Sequence, residues 1–118
     1  MLISAYEMQA HSFKALAHPS RVAMVELMRN GAICSCEIEP VLGISQSSVA
    51  KHLAILRDSG LVSSYREGSR VMCQVTDARV FAAIDAIRAA TQAHLAAVTQ
   101  SFALLEPDVL TELQNSKC

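Results

Sequence analysis

The sequence predicts a mainly α-helical chain carrying one β-hairpin, and three observations support that class. Apolar residues recur at three- and four-residue spacing through most of the chain. The pattern switches to alternation only over residues 62–76. Glycines fall at the joints between these stretches, at positions 31, 43, 60 and 68.

The elements follow in order. Leu2, Tyr6, Phe13 and Leu16 have loosely helical spacing, which predicts a helix to about Ala17. His18-Pro19-Ser20-Arg21 opens a second helix, because proline fits the first helical position and needs no N–H partner there. Val22, Val25 and Met28 form its apolar stripe, and Asn30-Gly31 is expected to end it with glycine as a left-handed cap. A short segment from Ala32 to Gly43 carries Ile38, Val41 and Leu42. Ser45 is then placed to cap a strong helix from Gln46 to about Ser59, with Val49, Leu53 and Leu56 on its buried face. Gly60 ends that helix.

Val62, Ser64 and Arg66 alternate with Ser63 and Tyr65, and Val71, Cys73 and Val75 alternate with Met72 and Gln74. With Glu67-Gly68-Ser69 between them, these runs predict a β-hairpin. A last long helix is expected from about Asp77 to Leu105. Its seam of Ile84, Ile87, Thr91, Leu95, Val98, Phe102 and Leu105 suits pairing with a helix of equal length. A second copy of the chain supplies one, so a homodimer through the terminal helices is expected.

The chain has 118 residues, 52% hydrophobic and 18% charged, which fits one globular domain over residues 1–118 and not a disordered chain. Aromatic residues are only 4%, so the core must be aliphatic. The net charge of −1 neither favours nor forbids a nucleic-acid partner, since a local basic face can act alone. Polar groups run through residues 1–18 and no apolar run reaches membrane-spanning length, so a cytoplasmic protein with no membrane partner is expected. In that reducing compartment the four cysteines suggest metal or redox chemistry rather than structural disulfides.

Two helices joined at Gly43-Ile44-Ser45 and followed by a hairpin predict a winged helix-turn-helix, with the helix after Ser45 entering the DNA major groove. Gln46, Ser47 and Ser48 lie in its first turn, where side chains meet base edges; glutamine can bind adenine with two hydrogen bonds. Lys51, His52 and Arg57 can meet phosphates. Arg66 and Arg70 flank the wing turn and can reach the backbone or minor groove.

Cys34 and Cys36 are the chemistry-bearing pair. On a regular helix, residues two apart point about 200° away from each other and cannot grip one ion. In extended backbone they face the same side. Pro40 supplies no N–H for the Cys36 carbonyl, Ser35 can act as a cap, and Glu37 and Glu39 suit a helix start. The helix is therefore expected to begin late, leaving both thiols near its first turn, where thiolates are favoured. Two thiolates select soft or borderline ions.

The segments FKALAHPSRVAMVELMRNG and CSCEIEPVLGISQSSVAKHLAILRDSGLV, followed by the wing and long helix, resemble the ArsR/SmtB family of metalloregulatory repressors over roughly residues 12–105. That resemblance implies a homodimer on a palindromic operator in double-stranded DNA, released when an inducer binds. Similar arsenic-responsive repressors carry Cys-x-Cys at this helix start, which Cys34 and Cys36 match, so As(III) or Sb(III) is the implied inducer, with Cd, Pb or Zn as alternatives. A further cysteine often lies three residues on; here that position is Glu39. Because As(III) prefers three sulfurs, the third donor is left to Cys118, Cys73, His11 or a ligand from outside, with Cys118 favoured. Other members bind zinc between their long helices through Asp/His and His/Glu pairs. Here Ile87 stands two residues after Asp85 in place of His, and Ala97 three residues after His94 in place of Glu, so both pairs are broken.

Thiol oxidation at the pair is the alternative mode of sensing, although a Cys-x-Cys disulfide closes a tight ring. An enzyme is not expected. Cys-x-x-Cys spacing, a Ser/His/Asp set, a paired-carboxylate cleft and a glycine-rich phosphate loop are all missing.

Overall fold

The computed structural model describes residues 4–104. Helices α1 (Ala5–Leu16) and α2 (Pro19–Leu27) lead to a short strand β1 (Ile33–Cys34). Helices α3 (Ser35–Leu42) and α4 (Gln46–Asp58) follow, then strands β2 (Val62–Glu67) and β3 (Arg70–Val75), and finally α5 (Arg79–Ala103). The chain forms two compact units that divide after Phe81. Among the described residues no helix is long and apolar enough to cross a membrane.

Within the first unit, α1, α2 and α4 pack together, α2 and α4 flank α3, and α3 and α4 lie on the sheet. The core sits at their junction. Met24 and Val25 come from α2, Ile38 from α3, Val49, Leu53 and Leu56 from α4, and Val62 and Cys73 from the sheet. The stripe expected on α4 is the one buried. On α2 the buried stripe is Met24, Val25 and Met28.

Helix α2 ends at Leu27, before Asn30-Gly31. Its last turn tightens, with the N–H groups of Met28 and Arg29 reaching only three residues back, to Val25 and Glu26. Gly31 has φ +136°, outside the left-handed cap region expected for it. Gly43, by contrast, caps α3 with φ +67°, and its N–H bonds the Glu39 carbonyl at 2.8 Å.

The wing is larger than a hairpin. Strand order is β1-β3-β2, all antiparallel, so β3 is central. Ile33 pairs with Cys73 and Cys34 with Met72. A two-residue strand has no alternation to read, which is why β1 is silent in the sequence. Neighbours on a strand face opposite sides, and both Met72 and Cys73 are buried, so β3 is covered on both faces there.

Helix α5 spans 25 residues, none of them buried. Ile87, Leu95, Val98 and Phe102 of its expected seam are exposed, at 64%, 58%, 39% and 63%. Leu2, Leu105 and Cys118 lie outside the described residues.

Candidate nucleic-acid interface and sulfur site

Helix α4 starts where the cap predicts. Ser45 is extended (φ −68°, ψ 156°), and its hydroxyl accepts the Ser48 N–H at 3.2 Å. The same hydroxyl lies 3.1 Å from the hydroxyls of both Ser47 and Ser48. Gln46, Ser47 and Lys51 are exposed along this helix, and Ser48 is half-buried.

His52 is tied inward. Arg21 Nη1 lies 3.1 Å from His52 Nδ1. A guanidinium can only donate, so Nδ1 accepts and the ring is neutral, with its proton on Nε2. Burial, then the neighbouring His18 and the Arg21 charge, lower the His52 pKa from its ordinary value. Arg21 Nε also donates to the Ala15 carbonyl at 2.6 Å, so one arginine joins the end of α1 to α4. His18 stacks on His52 with ring centres 4.4 Å apart, while its own Nδ1 accepts the Ser20 N–H at 3.0 Å and caps α2.

The two outer arginines expected on DNA also have partners. Arg57 Nη1 donates to Ser64 Oγ at 3.2 Å, linking α4 to β2. Arg70 Nη2 donates to Glu37 Oε1 at 2.6 Å, linking the wing to the first turn of α3. Arg66 is exposed on β2 and makes no ion pair among the described residues.

Cys34 and Cys36 straddle the start of α3. Cys34 is extended (φ −71°, ψ 136°) and is itself the N-cap, its Sγ accepting the Cys36 N–H at 3.2 Å. Their Cα atoms are 5.1 Å apart and their sulfurs are joined as a disulfide. The late helix start is as expected, but its cause is different. Pro40 lies inside α3, and Ser35 is the first helical residue rather than the cap. The strand pairing of Cys34 holds that residue extended, which turns both sulfurs to one side. Cys34 is only 2% exposed, whereas Cys36 is exposed.

The other donors stay apart from this pair. Cys73 shares a sheet face with Ile33, so it points away from the face of Cys34. Its Sγ lies 3.6 Å from Ser64 Oγ, its partner on β2. His11 is on α1, lining an open groove with Lys14, Arg21 and Ile55. Asp85 bonds Arg88 on α5. Among the described residues no three Cys, His, Asp or Glu side chains gather into a metal cluster. Two sulfurs, a soft donor type, are brought together here, and among the described residues no third Cys, His, Asp or Glu donor joins them.

Sequence reasoning missed the partners of these side chains. Arg21 was visible only as part of the helix entry, and Glu37 only as an acid suited to a helix start. No local signal marks contacts made 31 and 33 residues away.

A helix-turn-helix followed by a sheet wing defines a winged helix-turn-helix domain. The family model described as "Bacterial regulatory protein, arsR family" matches residues 18–64. The chain is 36% identical over 76 residues to an uncharacterized HTH-type transcriptional regulator of Methanocaldococcus jannaschii, covering 64% of this chain and 85% of that one. It is 39% identical over 71 residues to a probable mercury resistance operon repressor of Streptomyces lividans, covering 60% and 57%. It is 40% identical over 60 residues to an arsenic resistance transcriptional regulator of Pseudomonas putida, covering 50% and 47%. Among solved structures it is similar to a homodimeric winged helix-turn-helix DNA-binding domain of Mycobacterium bovis, with a TM-score of 0.68 and 26% identity over 75% of this chain and 85% of that one. The chain belongs to the ArsR family of transcriptional regulators, which are not enzymes.

Proposed function

We propose that this chain is a repressor that binds operator DNA as a homodimer and is released when As(III) or Sb(III) is captured by Cys34 and Cys36. The observation that carries this reading is the meeting of the two sulfurs at the N-terminus of α3, the first helix of the DNA-binding motif. Two sulfurs on one side form a soft chelate. With the pair reduced, exposed Cys36 gives an ion access to buried Cys34. The names of the mercury and arsenic resistance relatives favour the same class of ion.

DNA contact in this reading falls to Gln46, Ser47 and Ser48 at base edges, to Lys51, Arg57, Arg66 and Arg70 at the backbone, and to His52 there only through its Nε2–H, since its Nδ1 is held by Arg21. The helix seam of α5, exposed in one chain, is covered by the second copy. Cys118, outside the described residues, remains the candidate third sulfur, with an external thiol as its substitute. Loading the pair re-sets the first turn of α3, and α3 as a helix packs on both the recognition helix and the wing strand β3. By linkage, an inducer that weakens DNA binding must itself bind more weakly to the DNA complex.

The test is a gel-shift titration with arsenite, antimonite, cadmium and lead, on an operator fragment recovered by genomic selection. Arsenite and antimonite are expected to release the reduced protein. The variant Cys34→Ser/Cys36→Ser is expected to bind DNA and to ignore both ions. If it responds as the parent does, the sensor lies elsewhere.

The Cys34–Cys36 bond favours a second reading, thiol oxidation. Two thiols would give up two protons and two electrons to a peroxide, which is reduced to water and alcohol or to two waters. Release by peroxide with no response to arsenite selects this reading.

A further inference from the structure

The wing arginine Arg70 is held by an acid that belongs to the sulfur-bearing helix. Its Nη2 lies 2.6 Å from Glu37 Oε1, and both side chains are half exposed, at 51% and 53%. Arg70 opens β3 directly after the wing turn, with Glu67 as its cross-strand partner. Glu37 is the second helical residue after Ser35, next in sequence to Cys36. A guanidinium binds carboxylate and phosphate with the same planar fork. The Glu37 contact occupies one Nη2 donor, and a guanidinium whose charge is already matched by a carboxylate is a weaker partner for a DNA phosphate.

We propose that Glu37 is an internal competitor for Arg70, a carboxylate standing in for a backbone phosphate, and that it sets the affinity of the wing for DNA. To give a DNA phosphate its full charge and both Nη donors, the arginine has to leave Glu37. That exchange costs the ion pair, leaves the carboxylate to recover its own counter-ion, and lowers the net number of ions released on binding. This inference rests on the DNA-binding reading above and does not depend on which ion the cysteines take. It also gives the sulfur pair a direct neighbour in the wing, since Glu37 follows Cys36 while Cys34 pairs with Met72 on β3.

Phosphate contacts are independent of sequence, so the test needs no known operator. The whole reduced protein is titrated against a fluorescent duplex of arbitrary sequence across a salt series, read by anisotropy. Glu37→Gln keeps the shape and removes the charge. It is expected to tighten binding about threefold per subunit, the scale of an exposed ion pair, and to steepen the log–log salt slope by about one per arginine freed. Arg70→Ala is expected to weaken binding. Adding Glu37→Gln to Arg70→Ala is expected to change neither affinity nor slope, because the competition has lost its object. A gain that persists undiminished in the Arg70→Ala background is a net-charge effect and overturns the proposal. So does a Glu37→Gln protein that binds as the parent does. If neither the parent nor any variant binds duplex DNA, the DNA-binding reading falls and takes this one with it.

Discussion

At the scale of single residues, the polar side chains of the first unit join elements rather than merely face water. Arg21 holds the Ala15 carbonyl and His52 Nδ1 together, and His52 must be neutral to accept from it. Its lowered pKa means the unfolded chain takes up this proton before the folded one. Stability that depends on His52 is therefore complete above the ordinary histidine pKa and is lost as pH falls below it. Thermal melts from about pH 7.5 down to about pH 5.5 should show a falling Tm. His52→Gln, which keeps an acceptor for Arg21 and cannot titrate, should flatten that slope. An unchanged slope would mean that other groups carry the pH dependence. The sequence displays His52 as an outward basic residue on a recognition helix. Nothing local says that an arginine 31 residues earlier turns it inward.

At the scale of elements, the turn from α3 to α4 is the most legible part of the chain. Gly43 adopts the left-handed conformation that a side chain resists, and Ser45 supplies the missing acceptor at the start of α4. Ser45→Ala should cost about 1 kcal/mol in denaturant unfolding. Ser47→Ala should cost less, because the Ser47 hydroxyl caps no backbone N–H. Equal losses would assign the effect to the hydroxyl cluster and not to the cap. Helix α3 was harder to read. Pro40 invites the inference that it delays the helix start, yet it lies inside α3, and Cys34 is extended where it pairs with β3. A strand of two residues owes its existence to the partner strand, so no periodicity announces it.

At the scale of the whole molecule, the long seam of α5 carries the expectation of a dimer. Ile87, Thr91, Leu95, Val98 and Phe102 recur every three or four residues, and the four apolar ones are exposed in the single chain. An exposed, largely apolar stripe of that length on one helix marks an interaction surface. Leu95→Glu should therefore shift the protein from dimer to monomer in sedimentation and weaken DNA binding, since two half-sites need two linked recognition helices. A variant that sediments as the parent does would remove the seam from the interface.

The order of helices, the Ser45 cap, the β2–β3 hairpin and the nearness of Cys34 to Cys36 are legible in the chain alone. These are written in local periodicity and in residues whose backbone preferences act within a few positions. Only the tertiary structure decided that β1 completes the sheet, that Cys34 rather than Ser35 caps α3, that Cys73 faces away from the pair, and that Glu37 holds Arg70. Each of those contacts joins residues distant in sequence, or follows from such a contact. Their geometry is set by how the elements pack, which no local pattern encodes.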